Sequence, residues 1–331
     1  MKPKIVHLLD DQSVGGVRRW IETISDSRLN SQFEFQPVRS TELFPVLRSQ
    51  KVALVICHNP SSWKRSLNLI RTKRQGVKLI IVEHHYCEGF EQINVPSVRR
   101  FRAMLKWNYG IVDRVASVSQ GQSTWIQKHQ LIQSTKLATI PLSTQVDPFL
   151  EVPKKQLQKP FILGAYGRFS QQKGFDTLLK AMQQISTTDV QLYLGGFGED
   201  ESLLRKLATH LPNVKFWGAV RDVRGFLSAC DAIVIPSRWE PGGTVCIEAK
   251  AAGKPVIVSD VDGLPEQVQN CGIVVPPNDP TPLATAIETI SKMPHERIEA
   301  WREAARNSVE NAWEHYLAEW ETFLWKLLGE V

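Results

Sequence analysis

The chain has 331 residues, of which 42% are hydrophobic and 22% charged, a composition typical of a globular protein with room for two domains. The five cysteines form no CxxC pair and no metal-ligand spacing, which argues against a disulfide framework and favours reduced thiols in a cytoplasmic protein. The net charge of +6 is uneven: residues 1–155 carry 23 Lys and Arg against 12 Asp and Glu, and the remainder carries 17 against 22.

Hydropathy predicts no membrane span and no signal peptide. The first apolar run, Ile5 to Leu9, ends at Asp10 and Asp11, and no eighteen uncharged apolar residues follow one another. We therefore expect a cytoplasmic protein whose basic first half meets an anionic partner.

Short apolar runs separated by helical stretches predict alternating strands and helices, and hence parallel sheets with helices on both faces. In chain order, the predicted strands are Lys4–Leu9, Val52–Cys57, Leu79–Glu83, Val115–Ser119, Phe161–Tyr166, Gln191–Leu194, Val214–Trp217, Ala232–Pro236 and Pro255–Ser259.

The segment Asp147–Pro160, rich in Lys, Gln and Pro, is predicted to link two Rossmann-like domains that face each other across a cleft. The domains are placed at residues 1–150 and 151–310. The aromatic stretch Trp301–Leu328 predicts a terminal helix, with residues 311–331 packing back on the first domain.

Two segments of the first domain, one at Gly16 and one at His84 and His85, are candidates for ligand contact. Gly16 follows the first strand, where a glycine lets the backbone approach a phosphate or sugar, although a plain turn explains it equally well. His84 and His85 follow the strand that ends at Glu83. Neighbouring side chains alternate along a strand, so one of these histidines at most is expected to enter the site.

Basic residues cluster at positions 64–78 and 99–106. Arg99, Arg102 and Lys106 share one predicted helical face, and Phe101, Met104 and Leu105 share another. This pattern predicts a surface that attracts anionic lipid, with a solvated basic face as the alternative. Nucleic acid is not expected, because no recognition motif accompanies the charge.

In the second half, Arg168 and Lys173 lie on a short glycine-containing loop between a strand and a helix. Both cations can converge on one anion such as a leaving diphosphate, although a solvated loop with two exposed cations is the default interpretation of this motif alone. Gly195-Gly196-Phe197-Gly198 is interpreted as a turn.

The stretch from Glu240 to Glu248 is the most informative feature of the sequence. Glu240 ends the loop that follows a predicted strand, Gly242 and Gly243 come next, and the predicted helix after them carries Glu248. Bare N–H groups at a helix N-terminus suit phosphate, and carboxylates suit sugar or ribose hydroxyls. The pattern predicts a nucleotide-sugar site. The nearby Asp260 and Asp262 are interpreted as acids that cap a helix, and no metal or cofactor is expected.

The assembled pattern resembles the retaining family 4 glycosyltransferases of GT-B fold, the bacterial cell-surface polysaccharide type, along nearly the whole chain. The resemblance rests on Gly167-Arg168, Lys173-Gly174, Glu240 to Glu248, residues 252–256 and residues 263–266. It implies a metal-independent hexosyltransferase in which Arg168 and Lys173 hold the diphosphate and Glu248 the ribose. Glu240 with Gly242, Gly243, Thr244 and Val245 would hold the donor sugar and phosphate. Gly16, Gly167 and His84 would complete the donor site.

The resemblance implies transfer from a UDP- or GDP-sugar to a glycan or lipid-linked acceptor in cell-envelope polysaccharide biosynthesis. The basic charge of the first domain separately predicts reversible association with the inner face of a membrane. This chain departs from the family at Pro241-Gly242-Gly243, at Ser143-Thr144-Gln145 and at Asp262, where the family commonly has glycine. The sugar is therefore left open. The alternatives are a nucleotide-sugar epimerase or hydrolase of the same fold, and a non-enzymatic scaffold of a polysaccharide assembly complex.

Overall fold

The structure, a computed structural model, describes residues 2–11, 15–185 and 189–329. It contains two compact units. Unit one comprises residues 1–144 and 314–331, and unit two comprises residues 145–313. Each unit contains one sheet of six parallel strands with helices packed against it. The α/β class and the two Rossmann-like sheets predicted from the sequence are therefore present.

The sheet of unit one has the strand order β2-β1-β3-β4-β5-β6. The strands are β1 (Lys4–Leu8), β2 (Glu34–Val38), β3 (Leu54–Cys57), β4 (Lys78–Glu83), β5 (Arg114–Ser117) and β6 (Leu137–Thr139). The helices are α1 (Gly16–Ser25), α2 (Leu43–Ser49), α3 (Trp63–Lys73), α4 (Glu88–Asn94), α5 (Val98–Ile111) and α6 (Gln120–Lys128). The order in which strands are added to the sheet reverses between β1 and β3. Open α/β sheets bind ligands beyond the carboxyl ends of two such neighbouring strands.

The sheet of unit two has the strand order β12-β11-β10-β7-β8-β9, so its reversal lies between β7 and β10. The strands are β7 (Phe161–Arg168), β8 (Val190–Phe197), β9 (Val214–Gly218), β10 (Ala232–Ile235), β11 (Val256–Ser259) and β12 (Gly272–Val275). The helices are α7 (Asp147–Leu150), α8 (Phe175–Gln184), α9 (Glu201–Leu207), α10 (Val223–Ala229), α11 (Thr244–Ala251), α12 (Pro280–Ser291) and α13 (His295–Asn307).

The last helix, α14 (Ala312–Leu328), belongs to unit one from Glu314 onward. Trp20 donates a hydrogen bond to the hydroxyl of Tyr316, and its ring packs against Trp320 at a centroid distance of 5.4 Å. Arg28 pairs with Glu314 at 3.1 Å. These contacts bury the aromatic face of α14 against α1 and its neighbours.

Three details differ from the sequence interpretation. The terminal stretch is two helices, α13 and α14, because residues 308–311 interrupt the helical pattern. Gly195 and Gly196 are not a turn but lie inside β8, where Gly196 pairs with Gly167. The linker forms the short helix α7 at its start.

All five cysteines are free and buried. Burial raises the pKa of Cys57 to about 11 and that of Cys230 and Cys246 to about 12. These thiols are protonated at neutral pH and pack as small apolar groups.

Candidate functional site

The loops after β7 and β10 meet at the point where the strand order reverses in the sheet of unit two. The amide of Arg238 donates to the carbonyl of Gln172 at 2.7 Å, and the amide of the Gln172 side chain donates to the carbonyl of Trp239. Gly174 has a φ of +63°, and a Cβ there would lie 2.1 Å from the carbonyl oxygen of Pro236. Only glycine fits, so the two loops are held in close contact.

Lys173 and Glu240 form an ion pair between these loops. Lys173 Nζ lies 2.5 Å from Glu240 Oε2, and the hydroxyl of Ser237 donates to the same oxygen at 3.1 Å. The two side chains are 19% and 12% exposed, so the pair is only partly screened by water. A Cβ at Gly167 would lie 3.7 Å from the Lys173 side chain, which therefore passes directly over that glycine.

Arg168 ends β7 and is exposed. Within the described residues it forms no ion pair, so its guanidinium is available to an anionic ligand. The structure thus brings Gly167, Lys173 and Glu240 together. Arg168 differs from Lys173 because no carboxylate of the described residues pairs with its charge. Whether both cations converge on one anion stays a prediction.

Arg238 is a structural member of the site to which the sequence interpretation assigned no role. Its guanidinium donates to the carbonyl of Gln171 at 2.7 Å and to Asp176 at 2.8 Å. Burial raises the pKa of Asp176, but the hydrogen bond and charge of Arg238 outweigh this and lower it overall. The residue braces the 3₁₀ turn at Gln171–Lys173 against α8 and so fixes the position of Lys173. Its place two residues before Glu240 is the only signal in the sequence.

Asp262 holds the backbone of Glu240. Its Oδ2 accepts from the amide of Glu240 at 2.9 Å, and the amide of Gly263 donates to the carbonyl of Glu240 at 3.2 Å. The helix-capping interpretation of Asp262 is therefore wrong, because the following turn, Pro265–Gln267, begins after Leu264 and has no side-chain cap. Asp262 has a φ of +46°, a conformation that favours glycine.

The N-terminus of α11 adjoins Glu240. Gly243 precedes the helix with a φ of +74°, and no side chain caps this end. Gln267 donates to the carbonyl of Gly242 at 2.5 Å and fixes the approach to the helix. The partial positive charge of an uncapped helix start, here at Thr244 and Val245, suits a phosphate.

Glu248 lies farther along α11 and is 3% exposed. The hydroxyl of Tyr166, on β7, donates to Glu248 Oε2 at 2.6 Å. A buried carboxylate needs such a donor, because leaving it unpaired is costly. Tyr166 therefore sets the orientation of Glu248, a role that the sequence interpretation missed because the two residues are 82 positions apart.

In unit one, Gly16 is exposed and is the first residue of α1, a helix start that no side chain caps. His84 follows β4 and is half-buried, with its Nε2 3.1 Å from His58 Nδ1. His85 directs its Nε2 to the carbonyl of His58 at 2.9 Å. The carboxylate of Glu83 accepts from the amides of His85 and Tyr86 and so shapes this loop. Which of the two histidines faces a ligand stays open.

The basic and apolar faces predicted for residues 99–106 are partly wrong. Arg102 donates two hydrogen bonds to Glu91, at 2.8 and 2.5 Å, so it is not a free surface cation. Met104 and Leu105 are buried in the core of unit one. Arg99 and Lys106 are exposed as expected.

The described part of the chain has neither a cluster suited to a metal ion nor a helix suited to cross a membrane. No group of three or more His, Cys, Asp or Glu side chains in residues 2–11, 15–185 and 189–329 has an arrangement that could hold a metal ion. No helix there has both the length and the apolar character needed to cross a membrane.

Residues 149–308, which make up most of unit two, match the family model "Glycosyl transferases group 1". A lipopolysaccharide core biosynthesis glycosyltransferase, LpsD from Rhizobium meliloti, is 36% identical over 168 residues, covering 47% of this chain and 48% of that protein. A GDP-mannose-dependent monoacylated α-(1-6)-phosphatidylinositol monomannoside mannosyltransferase from Corynebacterium glutamicum is 35% identical over 183 residues, or 51% and 45% of the two chains. The chain thus spans about half the length of these curated relatives.

Solved structures share the fold along the whole chain. The sucrose-phosphate synthase of Thermosynechococcus elongatus superimposes with a TM-score of 0.85 at 19% identity, over 100% of both chains. Anabaena HepE, solved in complex with UDP and glucose, gives a TM-score of 0.74 at 18% identity, over 93% of this chain and 95% of that one. The predicted fold of two Rossmann-like parallel sheets is confirmed, and the family model matches residues that lie within unit two.

Proposed function

We propose, on the premise that residues 149–308 carry a group 1 glycosyl transferase domain, that this chain transfers a sugar from a nucleotide diphosphate sugar to a glycan or lipid-linked acceptor in polysaccharide biosynthesis. The observation that carries the proposal is the Lys173–Glu240 ion pair beside the uncapped start of α11. It places a cation, a carboxylate and helix N–H groups at the reversal of strand order, where such sheets bind ligands.

The roles of the residues follow from their surroundings. Arg168 and Lys173 stabilise the departing diphosphate, the form of electrostatic assistance that contributes most to many enzymes. Glu240, held by Asp262 and Ser237, accepts hydrogen bonds from sugar hydroxyls, and Gly242 to Val245 present backbone N–H groups to phosphate. Glu248, oriented by Tyr166, accepts hydrogen bonds from the ribose hydroxyls.

The donor is proposed to be a UDP- or GDP-sugar. Among the similar proteins, one is named as GDP-mannose-dependent and another was solved with UDP. Transfer is proposed to retain the anomeric configuration and to need no metal, with Arg168 and Lys173 supplying the positive charge. Gly16 and His84 are proposed as further residues that contact the donor.

Arg168→Ala and Lys173→Ala test this mechanism. Each should lower turnover by about 10²- to 10³-fold, the typical loss when one stabilising donor is removed from a transition state. Arg221→Ala, which removes an exposed cation of unit two, should leave turnover unchanged. Calorimetry with UDP, GDP and ADP sugars first identifies the donor, and product NMR on added acceptor shows transfer and anomeric configuration.

Several outcomes would contradict the proposal. Formation of an altered free nucleotide sugar would indicate an epimerase or hydrolase, and failure to bind any of the three donors would favour a scaffold. Loss of activity after chelation and gel filtration, restored by a divalent cation, would contradict metal independence.

We further propose that unit one contacts an anionic membrane surface through α3 and α5. The hydroxyl of Ser66 on α3 donates to the amide oxygen of Asn108 on α5 at 3.1 Å. On the same two helices, Trp63 and Leu67 of α3 and Trp107 of α5 are 47%, 60% and 53% exposed. Exposed cations lie on the same two helices or their ends: Lys64, Arg71, Arg74, Arg99, Arg100 and Lys106. Apolar anchors combined with cations suit an anionic lipid surface.

Vesicle co-sedimentation tests this surface. Binding should require anionic lipid, weaken with salt, and fall by about an order of magnitude in Trp63→Ser/Trp107→Ser, since each loses apolar burial. Trp217→Ser, which removes a 45% exposed tryptophan of unit two, is the matched control. Equal binding of wild type to neutral and anionic vesicles would contradict the proposal.

A further inference from the structure

Three histidines in unit one form a continuous hydrogen-bonded chain. They come from three neighbouring strands: His7 lies in β1, His58 follows β3 and His84 follows β4. His7 Nδ1 lies 2.9 Å from His58 Nε2, and His58 Nδ1 lies 3.1 Å from His84 Nε2. The ring of Trp20 packs against all three, with centroid distances of 5.7, 5.1 and 5.7 Å.

All three imidazoles are neutral at physiological pH. Burial lowers the pKa of His7 to about 3 and that of His84 to about 3, with repulsion from His85 and His7 adding to the effect at His84. Burial also lowers the pKa of His58 well below its ordinary value. A neutral imidazole has one N–H donor and one acceptor nitrogen. Each of the two contacts needs one proton, so both hydrogen bonds are donated in the same direction. Either His7 donates to His58 and His58 to His84, or His84 donates to His58 and His58 to His7.

The inner end of the chain selects the direction. His7 is 0% exposed, and its Nε2 has no hydrogen-bond partner in the described residues. A buried N–H without an acceptor is among the rarest groups in native proteins, whereas an acceptor without a donor is tolerated better. The direction with fewer penalties therefore leaves His7 Nε2 without a proton. His7 Nδ1–H then donates to His58, and His58 Nδ1–H donates to His84 Nε2.

The outer end follows from this direction. His84 Nε2 accepts from His58, so the single proton of His84 is on Nδ1. This nitrogen has no partner within the described residues, and the side chain is partly exposed. Reversal of the chain would remove the proton from His84 Nδ1 and would have to supply one to His7 Nε2, which is sealed from water. The three hydrogen-bonded histidines therefore hold one fixed set of tautomers and do not conduct protons.

We propose that His7 and His58 are positioning residues that lock His84 in the Nδ1–H tautomer, so that His84 offers a hydrogen-bond donor to an oxygen of a bound ligand. Under the function proposed above, that oxygen belongs to the nucleotide sugar. Only this last assignment rests on the proposed function, because the tautomer is a property of the protein without ligand.

The tautomer can be measured directly on the wild-type protein. In protein labelled with ¹⁵N-histidine, two-bond ¹H–¹⁵N correlation spectra distinguish a protonated Nδ1 from a protonated Nε2. We expect His7, His58 and His84 to have a protonated Nδ1 at pH 7.5, with signals assigned from single substitutions. A protonated Nε2 at His84, or an averaged mixture, would overturn the proposal without bearing on transferase activity.

Two substitutions of equal polarity test whether the lock has a functional effect. His58→Asn keeps an amide at the δ position, within reach of His84, whereas His58→Gln moves its amide to the ε position toward His7. We expect turnover to follow the fraction of His84 that keeps a protonated Nδ1, with His58→Gln losing about tenfold or more, the factor that 1.4 kcal/mol represents. Substrate KM should change less than kcat.

Thermal unfolding of both variants separates folding defects from loss of the tautomer. Turnover that falls while His84 keeps its tautomer, or stays while the tautomer is lost, would overturn the functional part of the proposal. Activity missing from wild type with every donor would instead count against the proposed function and leave the tautomer measurement standing.

Discussion

Asp262 occupies a backbone conformation that usually selects glycine. Its φ of +46° is strained for most side chains, but Asp and Asn tolerate the left-handed region better than other residues. In this conformation the side chain also accepts a hydrogen bond from the backbone amide of Glu240. Aspartate at this position therefore gives up the backbone freedom of glycine and gains a hydrogen bond.

Substitutions at position 262 should separate these two contributions. Asp262→Ala keeps the strain and loses the hydrogen bond, so it should lower the free energy of unfolding by about 1–3 kcal/mol. Asp262→Gly loses the bond but relieves the strain and should cost less, and Asp262→Asn should lie nearest to wild type. Urea unfolding measures all three, and an alanine variant as stable as the asparagine variant would contradict this explanation.

The sequence predicted the charged residues of the site better than the residues that hold them in place. Lys173 and Glu240 stand out because of their motifs, and the structure joins them in an ion pair. Tyr166 and Arg238 do not stand out, because their partners, Glu248 and Asp176, are distant in sequence and only the parallel sheet brings them together. Local spacing carries no information about such pairs.

The strands that the sequence failed to predict are all edge strands. β2 and β6 close the two sides of the first sheet, and β12 closes one side of the second. An edge strand is covered on fewer sides, so it needs no continuous apolar run: β2 contains Pro37, and no residue of β6 is fully buried. The inner strands β3, β10 and β11 are buried at every position and were predicted within two residues.

Helix α14 gives a prediction at the scale of one element. Trp320 is 1% exposed and packs against Trp20, Tyr316 and Phe323. Trp320→Ala should destabilise the protein by about 3–5 kcal/mol because it leaves a large cavity. Trp107→Ala, at 53% exposure, should change stability by no more than about 0.5 kcal/mol. Calorimetry that showed equal losses for the two variants would contradict the packing role of α14.

At the scale of the whole molecule, the buried histidines make stability depend on pH. In the unfolded chain a histidine takes up a proton near pH 6.5. His7 and His58 resist this when folded, because burial and, at His58, the neighbouring imidazoles His7, His84 and His85 lower their pKa values. The unfolded state then binds more protons below pH 6.5, so stability is full above that pH and is lost as the pH falls toward 3.

The size of this effect follows from the same linkage. His7, whose pKa is lowered to about 3, should by itself cost about 2 kcal/mol of unfolding free energy between pH 7.5 and pH 5.0, and His58 should add to this loss. Urea unfolding at the two pH values measures this loss. A free energy of unfolding that is equal at both values would show that the histidines are charged in the folded protein.

The buried cysteines have a practical consequence. Because all five thiols are inaccessible and those at positions 57, 230 and 246 are also held protonated, the folded chain should resist maleimide reagents. A cysteine introduced on the surface would then be a unique attachment point without any prior removal of native thiols. An environment-sensitive fluorophore attached to Trp63→Cys would report vesicle contact, and one attached to Trp217→Cys would supply the silent reference.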